Sequence, residues 1–206
     1  MIFRKDAPKL LIVGPCEGNE KIFSAIEKYD RKVILMGNYI GHNVDKNFMK
    51  KIKKEKTVNM LGVNEHMYLN SIKGRKFYNL TSTENNKIKK WKNIDKKLVQ
   101  NSILFLEFND LFISFAAINK QNKSLNNLGK GFFQEYSKEE FNLTKRSLLW
   151  NKDIPYKIGK FQLFCNIPVN EPRKYKNIPA INLNTYKNGY ISMFLWPEMK
   201  IVKLKI

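Results

Sequence analysis

Two continuous apolar runs punctuate the first third of the chain, Lys9–Gly14 (KLLIVG) and Lys32–Gly37 (KVILMG). Such runs predict strands buried on both faces. Thr57–Gly62 (TVNMLG), where Asn59 interrupts the apolar positions, reads as a third strand. Between them the apolar positions change to helical spacing, with Ile22, Phe23, Ile26 and Tyr29 in one stretch and Val44, Phe48, Met49 and Ile52 in the next. A third helix is expected from Asn64 to Ser71. Alternating strands and helices predict a parallel sheet with right-handed crossovers.

The pattern changes in the middle. KIKKWKNIDKKLV reads as an exposed helix whose inner stripe is Ile88, Trp91, Ile94 and Leu98. Strands are expected at Ser102–Phe108 and Leu111–Phe115, joined by a turn at Asn109 and Asp110. Residues 119–131 read as a loop, and Ser137 with Glu140 three positions on fits a capping box opening a short helix. Phe161–Phe164 reads as a strand. Ala180–Leu183, Tyr190–Trp196 and Ile201–Leu204 read as an antiparallel meander with a hairpin at Asn188–Gly189. The expected architecture is one α/β domain over residues 1–206, β-rich in its second half, with two packed sheets; 74–135 offers the least patterning.

Composition adds a strong electrostatic constraint. The net charge is +20, and 43% of residues are apolar, enough for a core. So large a positive charge opposes self-association and attracts polyanions, nucleic acid first. Abundant Lys, Asn and Ile also suit an A/T-rich genome, so part of the charge is explicable as composition. Cys16 and Cys165 make no disulfide framework. No run approaches the ~18 apolar residues of a membrane span. An intracellular protein is expected, in cytoplasm, virion, host cytoplasm or organelle.

The loops after the predicted strands carry glycines at regular places. They read Gly14-Pro15-Cys16-Glu17-Gly18, Gly37-Asn38-Tyr39-Ile40-Gly41-His42-Asn43 and Val63-Asn64-Glu65-His66. Later come LLWNKDIP, FQLFCNIP and INLNTYKNGYISMFLWPE. In order and spacing these fragments resemble the calcineurin-like metallophosphoesterases, particularly the small bacteriophage-type protein phosphatases. That family carries GDxHG, GDxVDRG and GNHE after its first strands, then a mid-chain His, a Gly-His-Thr and a terminal hairpin. The resemblance implies a four-layer α/β/β/α sandwich with two mixed sheets. It also places Pro15, Glu17, Asn38, Asn64, Phe115 and Asn166 where the family has metal ligands. Gly41 falls at a second Asp, His42 at a phosphate-gripping Arg, and Glu65-His66 reads as the family's His-Glu in inverted order.

A two-metal hydrolase needs carboxylates to offset the cations and imidazoles to complete their shells. Pro15 and Phe115 carry no side-chain donor, Asn38, Asn64 and Asn166 are neutral, and Glu17 is the one anion. The expectation is a vestigial site with no metal, no cofactor and no catalysis. Relocated chemistry has three candidate forms: His66 paired with Glu17 or Glu65 as an acid–base couple, against a plain loop residue; Cys16 as a nucleophile, against an inert buried thiol; and Cys16, Cys165 and a histidine around zinc.

The remaining resource is surface charge. Candidate nucleic-acid contacts are Lys50, Lys53 and Lys54 on the second helix, Lys89, Lys90 and Lys92 around Trp91, and Arg173, Lys174 and Lys176 around Tyr175. Lysines reach phosphates without reading sequence, so nonspecific, salt-sensitive binding to nucleic acid or a nucleoprotein assembly is expected. A solvated helix face is the plain alternative for each run. Two other functions compete: a viral or phage accessory factor that binds a protein through the vestigial pocket face, and a residual phosphoesterase with an altered site.

Overall fold

The computed structural model describes residues 1–3, 5–41, 44–55, 57–73, 91, 94–118, 120, 148–149 and 151–206. Its first third alternates as the hydrophobic pattern requires: β1 (Leu10–Val13), α1 (Lys21–Ile26), β2 (Lys32–Leu35), α2 (Lys46–Lys54), β3 (Val58–Asn59) and α3 (Val63–Ser71). The strands β1, β2 and β3 pair in parallel, with Leu10 beside Lys32 and Ile34 beside Val58. Asp45 starts α2 by accepting the Phe48 N–H at 2.8 Å, as an N-cap carboxylate should. Then follow α4 (Lys96–Gln100), β4 (Phe105–Glu107), β5 (Leu111–Ser114), β6 (Phe161–Phe164), β7 (Arg173–Lys174), β8 (Ala180–Asn182), β9 (Tyr190–Trp196) and β10 (Lys200–Lys205).

These strands form two mixed sheets of five, in the orders β10-β9-β1-β2-β3 and β4-β5-β6-β8-β7. The sheets pack face to face over Ile12, Ile34, Ile113, Leu163, Ile181 and Phe194. The other face of the first sheet is covered by helices: Leu11, Val13 and Val33 meet Ile22, Phe48 and Met67. Alternate residues of β1 therefore enter two different cores. That explains its unbroken apolar run, each buried Leu, Ile or Val contributing ~1.5–3 kcal/mol. The expected α/β sandwich of two mixed sheets is the observed fold. The Ser137 capping box and the loop at 119–131 lie outside the described residues.

Three expectations are corrected. The C-terminal meander is divided: β8 lies in the second sheet between β6 and β7, whereas β9 and β10 lie in the first. Ala180–Leu183 and Tyr190–Trp196 are each apolar but for one residue, Asn182 and Ser192, and such a pattern reports burial without naming a partner strand. The bend at Gly189 is a left-handed residue ending a 3-10 turn at Tyr186–Asn188, and it joins two sheets instead of closing a hairpin. The expected helix through Trp91 begins later in its described part, because Asp95 caps α4 by accepting the Leu98 N–H; residues 87–90 and 92–93 lie outside the described residues. The expected strand from Ser102 is shorter because Ile103 bridges to the first sheet beside Met60, before β4 starts in the second.

Candidate functional site

Parallel strands deliver their following loops to one end of a sheet. Here the loops after β1, β2 and β3 meet and lock together. The backbone of Glu17 donates to Asn38 O at 2.9 Å. Asn38 Oδ1 accepts the Asn64 N–H at 3.0 Å, and Asn64 Nδ2 donates to Ile40 O at 2.7 Å. Trp91, 1% exposed, donates its indole N–H to Gly41 O at 3.1 Å. Pro15 and Cys16 are buried within this cluster.

Glu65 is its centre. The carboxylate is wholly buried and accepts backbone N–H groups from Asn38 at 2.7 Å, Ile40 at 2.9 Å and Gly62 at 2.9 Å. Gly62 precedes α3, so the last of these bonds is the reciprocal half of a capping box. Burial pushes the Glu65 carboxyl up to about 7, and the backbone N–H bonds oppose that rise. Burial also raises the thiols of Cys16 and Cys165 and the Tyr39 hydroxyl. Neither cysteine is bonded to the other, and neither is exposed. Raised, buried thiols are poor nucleophiles.

The glycines permit the interlock. Gly37 (φ +83°) and Asn38 (φ 47°) form one left-handed pair, and Glu17 (φ 46°) and Gly18 (φ 82°) another. Asn adopts this region readily, whereas Glu17 does so at a cost of about 1 kcal/mol. A Cβ on Gly37 would stand 2.7 Å from Gly62 Cα and 2.9 Å from the Phe115 ring. A Cβ on Gly41 would overlap Glu17 Cα and Cβ. The backbone of the first loop thus occupies the place of any side chain at position 41.

The second sheet closes the cluster from below. Phe115, 2% exposed, follows β5, and its carbonyl accepts the Cys165 N–H at 2.9 Å. Cys165 Sγ donates to Met36 O at 3.0 Å, tying the end of β6 to the end of β2. Asn166 Nδ2 donates to Asn151 O, and its buried Oδ1 has no partner among the described residues.

The structure therefore brings Pro15, Glu17, Asn38, Gly41, Asn64, Glu65 and Phe115 into one contiguous cluster. The imagined acid–base couple is not its organising contact: Glu65 turns both oxygens to backbone N–H groups, and His66 Nε2 lies 3.1 Å from Asn70 Nδ2. Among the described residues no three His, Cys, Asp or Glu side chains group as a metal site. The donor set does not fit a pair of divalent cations, since Asn38 and Asn64 are neutral amides bonded to the protein itself. Sequence reasoning missed the knotting role of Glu65. Its signal was Gly62-x-x-Glu65 at a helix start, a capping-box spacing with Gly in place of Ser or Thr.

The basic candidates are scattered. Lys50 and Lys54 are exposed on α2, and Lys53 on the same helix pairs with Asp95. Arg173, Lys174 and Lys176 are exposed at β7 and beyond it, with Arg173 5.0 Å from the Tyr175 ring centre. Tyr175 packs with Phe164 and Ala180 on the outer face of the second sheet, away from α2. His42, Lys89, Lys90 and Lys92 lie outside the described residues. No described helix is long and apolar enough to cross a membrane.

No family model and no curated protein sequence matches the chain. Solved structures do. A "putative diadenosine tetraphosphatase" superposes with TM-score 0.70 at 12% identity, covering 99% of this chain and 96% of that one. The cold-active protein-tyrosine phosphatase of a psychrophilic Shewanella species superposes with TM-score 0.58 at 11% identity, covering 99% and 81%. A second structure of a cold-active protein tyrosine phosphatase gives 0.60 at 10% identity, covering 98% and 79%. The chain shares its fold with these phosphatase structures.

Proposed function

We propose that this chain is a catalytically inactive, phosphoesterase-like protein that serves as a basic binding or structural component on nucleic acid or a nucleoprotein assembly. One observation carries the reading: the loop that should open around a phosphate is filled by its own backbone. Glu17 lies where a side chain at position 41 would stand, and Asn38 and Asn64 bond to each other and to Ile40.

The same geometry supports a different register for the third motif. Gly62 and Glu65 have the spacing of the first and last residues of GNHE. Read that way, the glutamate keeps its place, Val63 stands at the Asn and Asn64 at the His, and no inversion is needed. The positions vacated by anions and imidazoles then hold a neutral hydrogen-bonded network. Removing carboxylates from a cluster that lacks cations also removes their mutual repulsion. With the pocket closed, the +20 charge is the remaining handle on a partner.

Two assays test the reading. An aryl phosphate incubated with the protein in manganese is expected to show no turnover above buffer, whereas turnover abolished by Asn64→Ala would revive a hydrolase. Binding to random-sequence oligonucleotides is expected, with log affinity falling linearly as log salt rises.

A further inference from the structure

We infer that the outward row Lys46, Lys50 and Lys54 of α2 is the contact that follows a nucleic-acid phosphate backbone. The inference rests on the nucleic-acid reading above and assigns the surface that performs it.

Buried Phe48, Met49 and Ile52 fix the inner face of α2. At 100° per residue, Lys51 and Lys53 then flank that face, and both are engaged: Lys51 Nζ meets Glu20 of α1 at 2.7 Å, and Lys53 pairs with Asp95 at the start of α4. Lys46, Lys50 and Lys54 point away from the core, all exposed, with no ion pair among the described residues. They recur every four residues, about 6 Å apart along the axis. Successive phosphates of one DNA strand rise about 3.4 Å along the axis and, with the turn of the helix, lie about 7 Å apart in space, so the row can track successive phosphates.

This arrangement does not serve the helix. Like charges four apart repel, and Lys46 places a cation at the positive end of the helix dipole, which the Asp45 N-cap offsets only in part. A polyanion removes both penalties. Beside the row, α2 and α4 border a groove of about 370 Å³ lined by Lys53, Lys97, Leu98 and Asn101. Lys96 and Lys97 extend the positive surface on that side, both exposed.

The test compares Lys46→Ala/Lys50→Ala/Lys54→Ala with Lys51→Ala/Lys53→Ala, using a random 30-base-pair duplex and a 30-nucleotide oligo-dT across a salt series. Alanine favours the helix and relieves repulsion, so the triple variant remains folded, as circular dichroism will show. Its slope of log affinity against log salt on duplex is expected to fall by about 2 to 3, with about 100-fold or more lost at 0.1 M salt. The control is expected to change the slope by less than about 1. A triple variant with the unaltered slope overturns the row while leaving the nucleic-acid reading intact. So does equal competition by polyglutamate, which would mark an acidic protein as the occupant. An unaltered chain that binds neither oligonucleotide overturns the reading itself, and the row with it.

Discussion

Two buried glutamates show how differently the two sheets solve one electrostatic problem. Glu65, at the loop end of the first sheet, is 0% exposed and is held by three backbone N–H groups. Glu107, in the edge strand β4 of the second sheet, is 6% exposed and meets Lys160 Nζ at 2.7 Å, which also donates to Phe108 O. Burying a carboxylate is costly unless it is paired or hydrogen-bonded. At the edge a flexible lysine can reach in from solvent and supply the counter-charge. In the loop cluster, glycine-permitted backbone approach brings N–H groups to the carboxylate, and no cation pairs with it among the described residues. The carboxylate there is held by N–H dipoles, which offset its burial only in part, and it fixes two loops and a helix start. Such a centre ties the loops together through bonds within the chain.

The largest expected effect comes from removing that centre. Glu65→Ala leaves the N–H groups of Asn38, Ile40 and Gly62 buried without acceptors, at ~1–3 kcal/mol each. A loss of about 4 kcal/mol or more is expected as a lower urea midpoint. Glu65→Gln keeps one oxygen but turns an amide N–H toward a donor, so it should cost about half as much. A Gln variant as stable as the parent would show that the loops hold without the carboxylate.

Next is pH. The Glu65 carboxyl is raised from 4.5 to about 7 in the folded chain, chiefly by burial. The folded state therefore holds a proton that the unfolded chain has released. Stability from this group is fully present below the unfolded value of 4.5 and is lost as pH rises through about 7. The decline should be on the order of 3 kcal/mol and absent in Glu65→Gln. Glu198 behaves oppositely: its hydrogen bond with Arg31 lowers it to about 2, so its contribution is present above 4.5 and lost as pH falls toward 2. The two windows do not overlap, so urea midpoints from pH 2 to 8 separate them.

Gly41→Ala follows. Its Cβ would overlap the Glu17 backbone, and overpacking of this kind costs ~1–3 kcal/mol. Thermal unfolding should show a loss of about 2 kcal/mol; an unchanged midpoint would mean that the first loop yields easily and that the cluster is less closed than its contacts indicate.

The sequence revealed the first sheet better than the second for a physical reason. β1 and β2 are buried on both faces, and their runs could be read without knowing the partner strands. The split of β8 from β9 could not, because each run is equally apolar and the choice of sheet depends on the crossing at residues 183–189. Of the loop cluster, the glycine positions and their following strands were visible in the chain. The bonds were not: nothing in one dimension says that Asn38 accepts from Asn64, or that Glu65 faces backbone instead of His66. The two-residue strand at Arg173–Lys174 carries no apolar pattern at all, since both side chains are exposed on a sheet edge.

The smallest effect is expected at the second glutamate, and it completes the contrast. Lys160→Met removes the close counter-charge of a buried carboxylate, but the Met1 ammonium also acts on Glu107 and the lysine side chain keeps 22% exposure. Water can partly replace the cation, so about 1–2 kcal/mol is expected, below the 3–5 of a fully buried pair. Adding Glu107→Gln removes the charge that had lost its partner. The double variant should recover most of the loss, because exchanging both members of a partly buried pair for neutral groups is often nearly neutral. The corresponding rescue is not available at Glu65, whose partners are backbone N–H groups that no substitution removes. A double variant at Glu107 and Lys160 that stays as unstable as Lys160→Met alone would mean that this carboxylate, too, is held by backbone, and that the two regions differ less than their contacts imply.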